Sequence, residues 1–96
     1  MIKFAYTILY VRDVTESVEF YEKAFGFTRK FIAPGNDYAE LLAGETTLSF
    51  ASITLAKTNL KNGFTESNLG EKPFRIEIGF TTENVIGTIA TAEKAG

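Results

Sequence analysis

The sequence has no cysteine and no histidine. Without cysteine there is no disulfide frame, no thiol nucleophile and no thiolate zinc site. Without histidine there is no Ser-His-Asp catalysis, no imidazole base poised near neutral pH and no histidine-ligated metal. A metal ion would have to be held by oxygen, which suits Mg, Ca or Mn better than Zn or Cu. No apolar run approaches the roughly 20 residues of a membrane span. The start, Met1-Ile2-Lys3-Phe4, leads straight into a strand pattern and does not read as a signal peptide. Positive charge is not in excess either: 10 Lys+Arg stand against 12 Asp+Glu, a formal net charge of −2. That balance argues against a nucleic acid or an anionic membrane as partner. The expectation is a soluble, cytoplasmic protein.

What remains is ordinary globular material. The 96 residues are 45% hydrophobic and 23% charged, one domain by length. A chain of this size buries roughly 60–65% of its unfolded surface, enough for one modest core.

Residues 2–12 alternate between Thr7, Leu9, Val11 and Phe4, Tyr6, Ile8, Tyr10, which predicts a strand apolar on both faces and hence interior to a sheet. Asp13 is placed to cap a helix over 14–25, with Val14, Val18, Tyr21 and Phe25 at helical spacing as its packing face and Gly26 to end it. Three short strands are predicted at 27–33, 37–43 and 46–54, joined by turns at Pro34-Gly35-Asn36-Asp37 and Ala43-Gly44-Glu45. Residues 56–73 read as a long loop in which Leu60 and Phe64 fold back on something apolar. Residues 74–81 alternate again, predicting a strand, and Asn84 is placed to cap a helix over 85–95. Gly87 weakens that helix by roughly 1 kcal/mol.

The chain matches itself at an offset of 71 residues. Val14 falls on Val85, Val18 on Ile89, Asp13 on Asn84, Ser17 on Thr88, Tyr6 on Glu77, and Glu22-Lys23-Ala24 on Glu93-Lys94-Ala95. The pattern predicts two βαβββ units, an α+β fold. The first covers 1–55, a loop covers 56–73, and 74–96 starts the second, within a single domain 1–96. A second unit of equal length would run about 30 residues past Gly96, so it reads as truncated after its helix. A ferredoxin-like βαββαβ domain is the other architecture considered; the extra strand at 46–54 and the lack of one after the last helix disfavour it.

The segments Thr7-Ile8-Leu9-Tyr10-Val11-Arg12-Asp13, Ser17-Val18-Glu19-Phe20-Tyr21 and Phe25-Gly26-Phe27 resemble the opening of vicinal oxygen chelate proteins. That superfamily includes glyoxalase I, bleomycin-resistance proteins and extradiol dioxygenases. Thr46-Thr47-Leu48-Ser49-Phe50-Ala51 resembles the last strand of its first module, and Ile76 to Gly96 the start of the second. The resemblance implies paired βαβββ modules whose curved sheets wrap a cleft, and in the enzymes a metal held by the first and last strands of each module. By the motif those positions are Tyr6, Ser49 and Glu77, with a fourth beyond residue 96. A His is usual at the first and a Glu at the second. Tyr and Ser stay protonated at neutral pH and are poor ligands for a divalent ion. Glu77 alone keeps a hard-metal ligand.

The resemblance therefore implies a small organic ligand bound in the cleft, without the usual metal. A metal-dependent lyase or dioxygenase stays open as an alternative, and so does a non-catalytic fragment that pairs through an open sheet edge. A homodimer is expected from the family. Candidate ligand-binding residues are Tyr6, Tyr38, Ser49, Arg75 and Glu77, with Glu77 the candidate metal ligand and Glu40 beside Tyr38 at the cleft rim. Each has a plainer reading: Tyr6 as a core aromatic, Ser49 as a small residue that makes room, Glu77 as a solvated strand acid pinned by Arg75.

Overall fold

The structure, a computed structural model, covers residues 1–96. Strand β1 (Thr7–Val11) is followed by helix α1 (Val14–Phe25) and strands β2 (Thr28–Ile32), β3 (Tyr38–Ala43) and β4 (Thr46–Ser52). Helices α2 (Ile53–Asn59) and α3 (Val85–Ala95) complete the elements. The four strands form one mixed sheet in the order β1-β4-β3-β2, with β1 parallel to β4 and the other pairs antiparallel.

Strand parity decides what faces what. Ala39, Leu41, Leu48 and Phe50 share one face with the half-buried Leu9 and Val11, and α1 lays Val14 and Val18 on it. These six buried residues are the core cluster. Helix α1 begins where Asp13 Oδ1 accepts from the Glu16 backbone N–H at 3.0 Å and ends at Gly26, whose φ of 70° suits a residue without a Cβ. The helix is tied to β2 by a two-bond Arg29–Glu22 pair, with the shorter contact at 2.9 Å. Its aromatic end packs Tyr21 on Phe50, Phe27 and Phe80.

Three expectations are corrected. First, β1 is an edge strand, not an interior one: in the order β1-β4-β3-β2 its outer side has no neighbour. Second, the stretch after β4 is not loop from its start. The Ser52 hydroxyl accepts from the Leu55 N–H at 3.0 Å and caps the short helix α2, which buries Ala56. Beyond it, Phe64 does fold back, onto the ring of Tyr10 at 4.9 Å. Third, residues 74–81 form no strand. Their alternation is real, but a strand exists only when a neighbour takes its backbone groups, and none pairs here. The stretch is exposed and is held by Phe80, which sits 5.0–5.1 Å from the rings of Phe25 and Phe27.

Helix α3 forms where expected, packs on α1 and buries no residue fully. Gly87 has a role that propensity hides. A Cβ there would collide with the side-chain amide of Asn84, whose Oδ1 accepts from the Gly87 N–H at 2.9 Å. The glycine leaves room for the cap.

Candidate functional site

The sheet face turned away from α1 carries a connected polar group. β3 and β4 pair Glu40 with Ser49 and Tyr38 with Ala51, which places Tyr38, Glu40 and Ser49 on that face together. The Tyr38 hydroxyl lies 2.7 Å from Glu40 Oε2 and 3.2 Å from Ser49 Oγ. A phenol has one proton to give. The carboxylate is the stronger and nearer acceptor, so Tyr38 donates to Glu40 and the Ser49 hydroxyl donates to the Tyr38 oxygen. Ser49 is fully buried and is the one polar residue among the buried ten. Tyr38 is its only side-chain partner.

The other Glu40 oxygen, Oε1, meets the Lys30 ammonium at 3.3 Å, and Lys30 Nζ also lies 3.4 Å from Thr47 Oγ1. Phe31 joins it through a bulge. The β2–β3 register breaks between Arg29 and Phe31, so two successive residues, Lys30 and Phe31, turn to this face. The Phe31 ring lies 6.0 Å from that of Tyr38. The result is a polar chain across three strands, with Ser49, Tyr38 and Glu40 joined by hydrogen bonds and Glu40 joined to Lys30 by an ion pair, beside the Phe31 ring.

The chain of bonds shows in the titration of Tyr38. Burial, the largest effect, pushes its phenol above the usual tyrosine value. Ser49 pulls it down by donating to the oxygen, while Glu40 pushes it up by taking the proton and repelling a phenolate. Tyr6 adds a smaller push in the same direction. At neutral pH Tyr38 is a proton donor, not a base.

The candidate residues thus divide. Tyr38, Glu40 and Ser49 stand in contact, whereas Tyr6, just before β1, is half-exposed and makes no hydrogen bond to them. Arg75 and Glu77 lie on the exposed, unpaired 74–81 stretch, with no hydrogen bond and no ion pair to each other or to this group. Lys30, Thr47 and Phe31 were not anticipated. Nothing in Arg29-Lys30-Phe31 announces a bulge, since no glycine marks it.

The donors at the metal positions do not suit an ion. Ser49 is buried and bonded to a phenol, Tyr6 offers a phenol where a stronger ligand is needed, and Glu77 sits on a separate segment. No three His, Cys, Asp or Glu side chains come together anywhere. A groove of about 1020 Å³ runs along the free edge of β1, between α1 and residues 64–67, but it takes in none of Tyr38, Glu40 or Ser49. The bonded polar groups that line it, Asp13 and Ser17, serve the cap of α1, whereas the sheet face carries a linked set of side chains, so that face is the better candidate. No helix is long and apolar enough to cross a membrane.

The comparisons with known proteins agree with this architecture. No curated protein matches the sequence. A glyoxalase/bleomycin resistance protein/dioxygenase family enzyme from Burkholderia phytofirmans PsJN is similar in structure, with a TM-score of 0.68 at 19% identity, over 96% of this chain and 72% of that one. A hypothetical protein from S. aureus has a TM-score of 0.70 at 26% identity, over 100% of this chain and 71% of that one. A glyoxalase-related enzyme from Fulvimarina pelagi has a TM-score of 0.71 at 15% identity, over 100% of this chain and 66% of that one. The chain spans about seven-tenths of the length of the first two and two-thirds of the third. The family model of the Glyoxalase/Bleomycin resistance protein/Dioxygenase superfamily matches residues 3–96. With that match over nearly its whole length, and with a βαβββ unit that carries its polar residues on the open face of the sheet, the chain belongs to this superfamily.

Proposed function

We propose that the protein binds a small organic molecule on the open face of its sheet and does so without a metal ion. The observation that carries this reading is the bonded group of Tyr38, Glu40 and Ser49 with the Phe31 ring beside it. A few fixed polar groups in an apolar, aromatic setting are what a small-molecule site offers: rings give contact area at low entropic cost, and polar atoms orient the ligand. The metal-free part of the reading is supported by the donor set, in which Tyr6 and Ser49 replace the residues that hold the ion in metal-dependent relatives.

The test is a panel of small aromatic and heteroaromatic compounds followed by amide chemical shifts. Binders are expected to move the resonances of Tyr38 and Glu40 first, and Tyr38→Ala is expected to weaken them about tenfold, the equivalent of one lost ring contact or hydrogen bond. Shifts confined to the groove beside β1, or binding indifferent to Tyr38→Ala, would place the site elsewhere.

A further inference from the structure

Lys30 is the loosest member of the open face. Its ammonium lies 3.3 Å from Glu40 Oε1 and 3.4 Å from Thr47 Oγ1, long for charge-assisted bonds, which close to about 2.7–2.9 Å. The two ends of the pair are also unequal. The Lys30 side chain is 42% exposed and that of Glu40 only 17%. The carboxylate is the less hydrated charge and is fixed from behind by Tyr38. The ammonium rides on a flexible four-carbon stem and is easily hydrated. A cation is therefore wanted at Glu40 Oε1, and the one that sits there is readily displaced. Phe31, the register partner of Glu40, and Tyr38 lie beside it, and aromatic faces attract cations.

Resting on the small-molecule reading above, we infer that this face selects an organic cation, an ammonium or amidinium on an aromatic or apolar body, which takes the place that the Lys30 ammonium holds beside Glu40 Oε1. Lys30 is a stand-in. It keeps the half-buried carboxylate paired while the face is empty and swings to water when a ligand cation arrives. An anionic ligand fits worse, because any group that reaches Lys30 here also lies against Glu40. Ser49, with no exposed surface, does not touch the ligand. It is a positioning residue that holds the Tyr38 oxygen so that its proton points at Glu40.

The test uses three probes on one skeleton: 3-phenylpropylammonium, 3-phenylpropanol and 3-phenylpropionate, each titrated into the isotope-labelled full chain. The ammonium is expected to shift Lys30, Phe31, Tyr38 and Glu40 and to bind about tenfold more tightly than the alcohol, with the carboxylate weakest. Glu40→Gln is expected to abolish the ammonium's advantage. Lys30→Met is expected to tighten ammonium binding about threefold or more, because a competing internal cation is gone. It alters only an exposed end of the network, so it reads the pair even if Glu40→Gln fails to fold. A preference for the carboxylate, or weaker ammonium binding in Lys30→Met, overturns the inference. Equal binding of all three probes on this face overturns charge selection and leaves the small-molecule reading standing. No open-face shift with any of the three overturns both.

Discussion

Asn84 closes the first turn of α3 in the same way that Asp13 closes the first turn of α1, 71 residues earlier. Asp13 accepts from the Glu16 N–H at 3.0 Å and Asn84 from the Gly87 N–H at 2.9 Å. Ser17 donates its hydroxyl to the Asp13 carbonyl at 2.9 Å, and Thr88 donates to the Asn84 carbonyl at 2.8 Å. The cap residues share a φ of −133° and −131°. All these equivalences fall at one offset, so the repeat is one of local structure as well as of letters. The surroundings differ. Val14 and Val18 are fully buried, whereas their counterparts Val85 and Ile89 are 59% and 53% exposed.

That difference predicts unequal effects of removing the caps. Asp13→Ala is expected to lower global stability by about 1 kcal/mol, since α1 covers the core. Asn84→Ala is expected to leave the main melting transition nearly unchanged and to speed amide exchange through the first turns of α3, which buries no residue. Thermal melts and hydrogen exchange on the two variants check this; an equal loss of melting temperature would show that α3 unfolds with the core.

The Tyr38–Ser49 bond gives a second prediction. Tyr38→Phe removes the only side-chain partner of a fully buried hydroxyl. The orphaned Ser49 is expected to cost about 1–3 kcal/mol. Adding Ser49→Ala removes the orphan, so the double variant is expected to be more stable than Tyr38→Phe alone. Denaturant unfolding of the wild type, both single variants and the double variant closes the cycle, and strict additivity would refute the coupling.

How far the sequence showed all this depends on the range of the interaction. Helix α1, α3 and strands β2 to β4 were legible because their signals are local: Asp13 and Asn84 as caps, Gly26 with its positive φ, apolar residues at helical or alternating spacing. The edge position of β1 was not, because Thr7–Val11 is apolar on both faces whether or not a strand lies beside it. Residues 74–81 misled for the same reason, since alternation records a preference for pairing and not the presence of a partner. At the site, Tyr38, Glu40 and Ser49 could be placed on one face by parity. Phe31 could not, because a single bulge turns it to the same face as Lys30 and nothing in Arg29-Lys30-Phe31 encodes the break.

Two tyrosines make stability depend on alkaline pH. Burial, the main cause in both, raises Tyr21 and Tyr38 above the usual value near 10. The folded state thus favours the neutral phenols. Their contribution is complete below the unfolded-state value and is lost as pH rises towards and through the folded-state values, because the unfolded chain ionises first. Unfolding midpoints are expected to fall from pH 9 to above 11. Tyr38→Phe and Tyr21→Phe should each flatten part of that fall, and a midpoint that rises over the same interval would contradict the assignment.

A last prediction concerns metal. If Tyr6, Ser49 and Glu77 formed an ion site, a paramagnetic divalent ion would broaden their resonances together. The Ser49 hydroxyl is buried and already donates to Tyr38, and Glu77 is exposed on a stretch that makes no hydrogen bond or ion pair with Tyr6 or Ser49. Manganese(II) is therefore expected to broaden exposed carboxylates weakly and generally, with no selective effect on Tyr6 and Ser49. Restoring better ligands is not expected to build a site at once: Ser49→Glu forces a larger, charged side chain into a position with no exposed surface and should destabilise the fold before it binds an ion. Selective broadening of Tyr6 and Ser49 at equimolar manganese would reverse the metal-free reading. It would leave the Lys30–Glu40 prediction open to its own probes, because that pair lies on β2 and β3 and shares no proposed metal ligand with these positions.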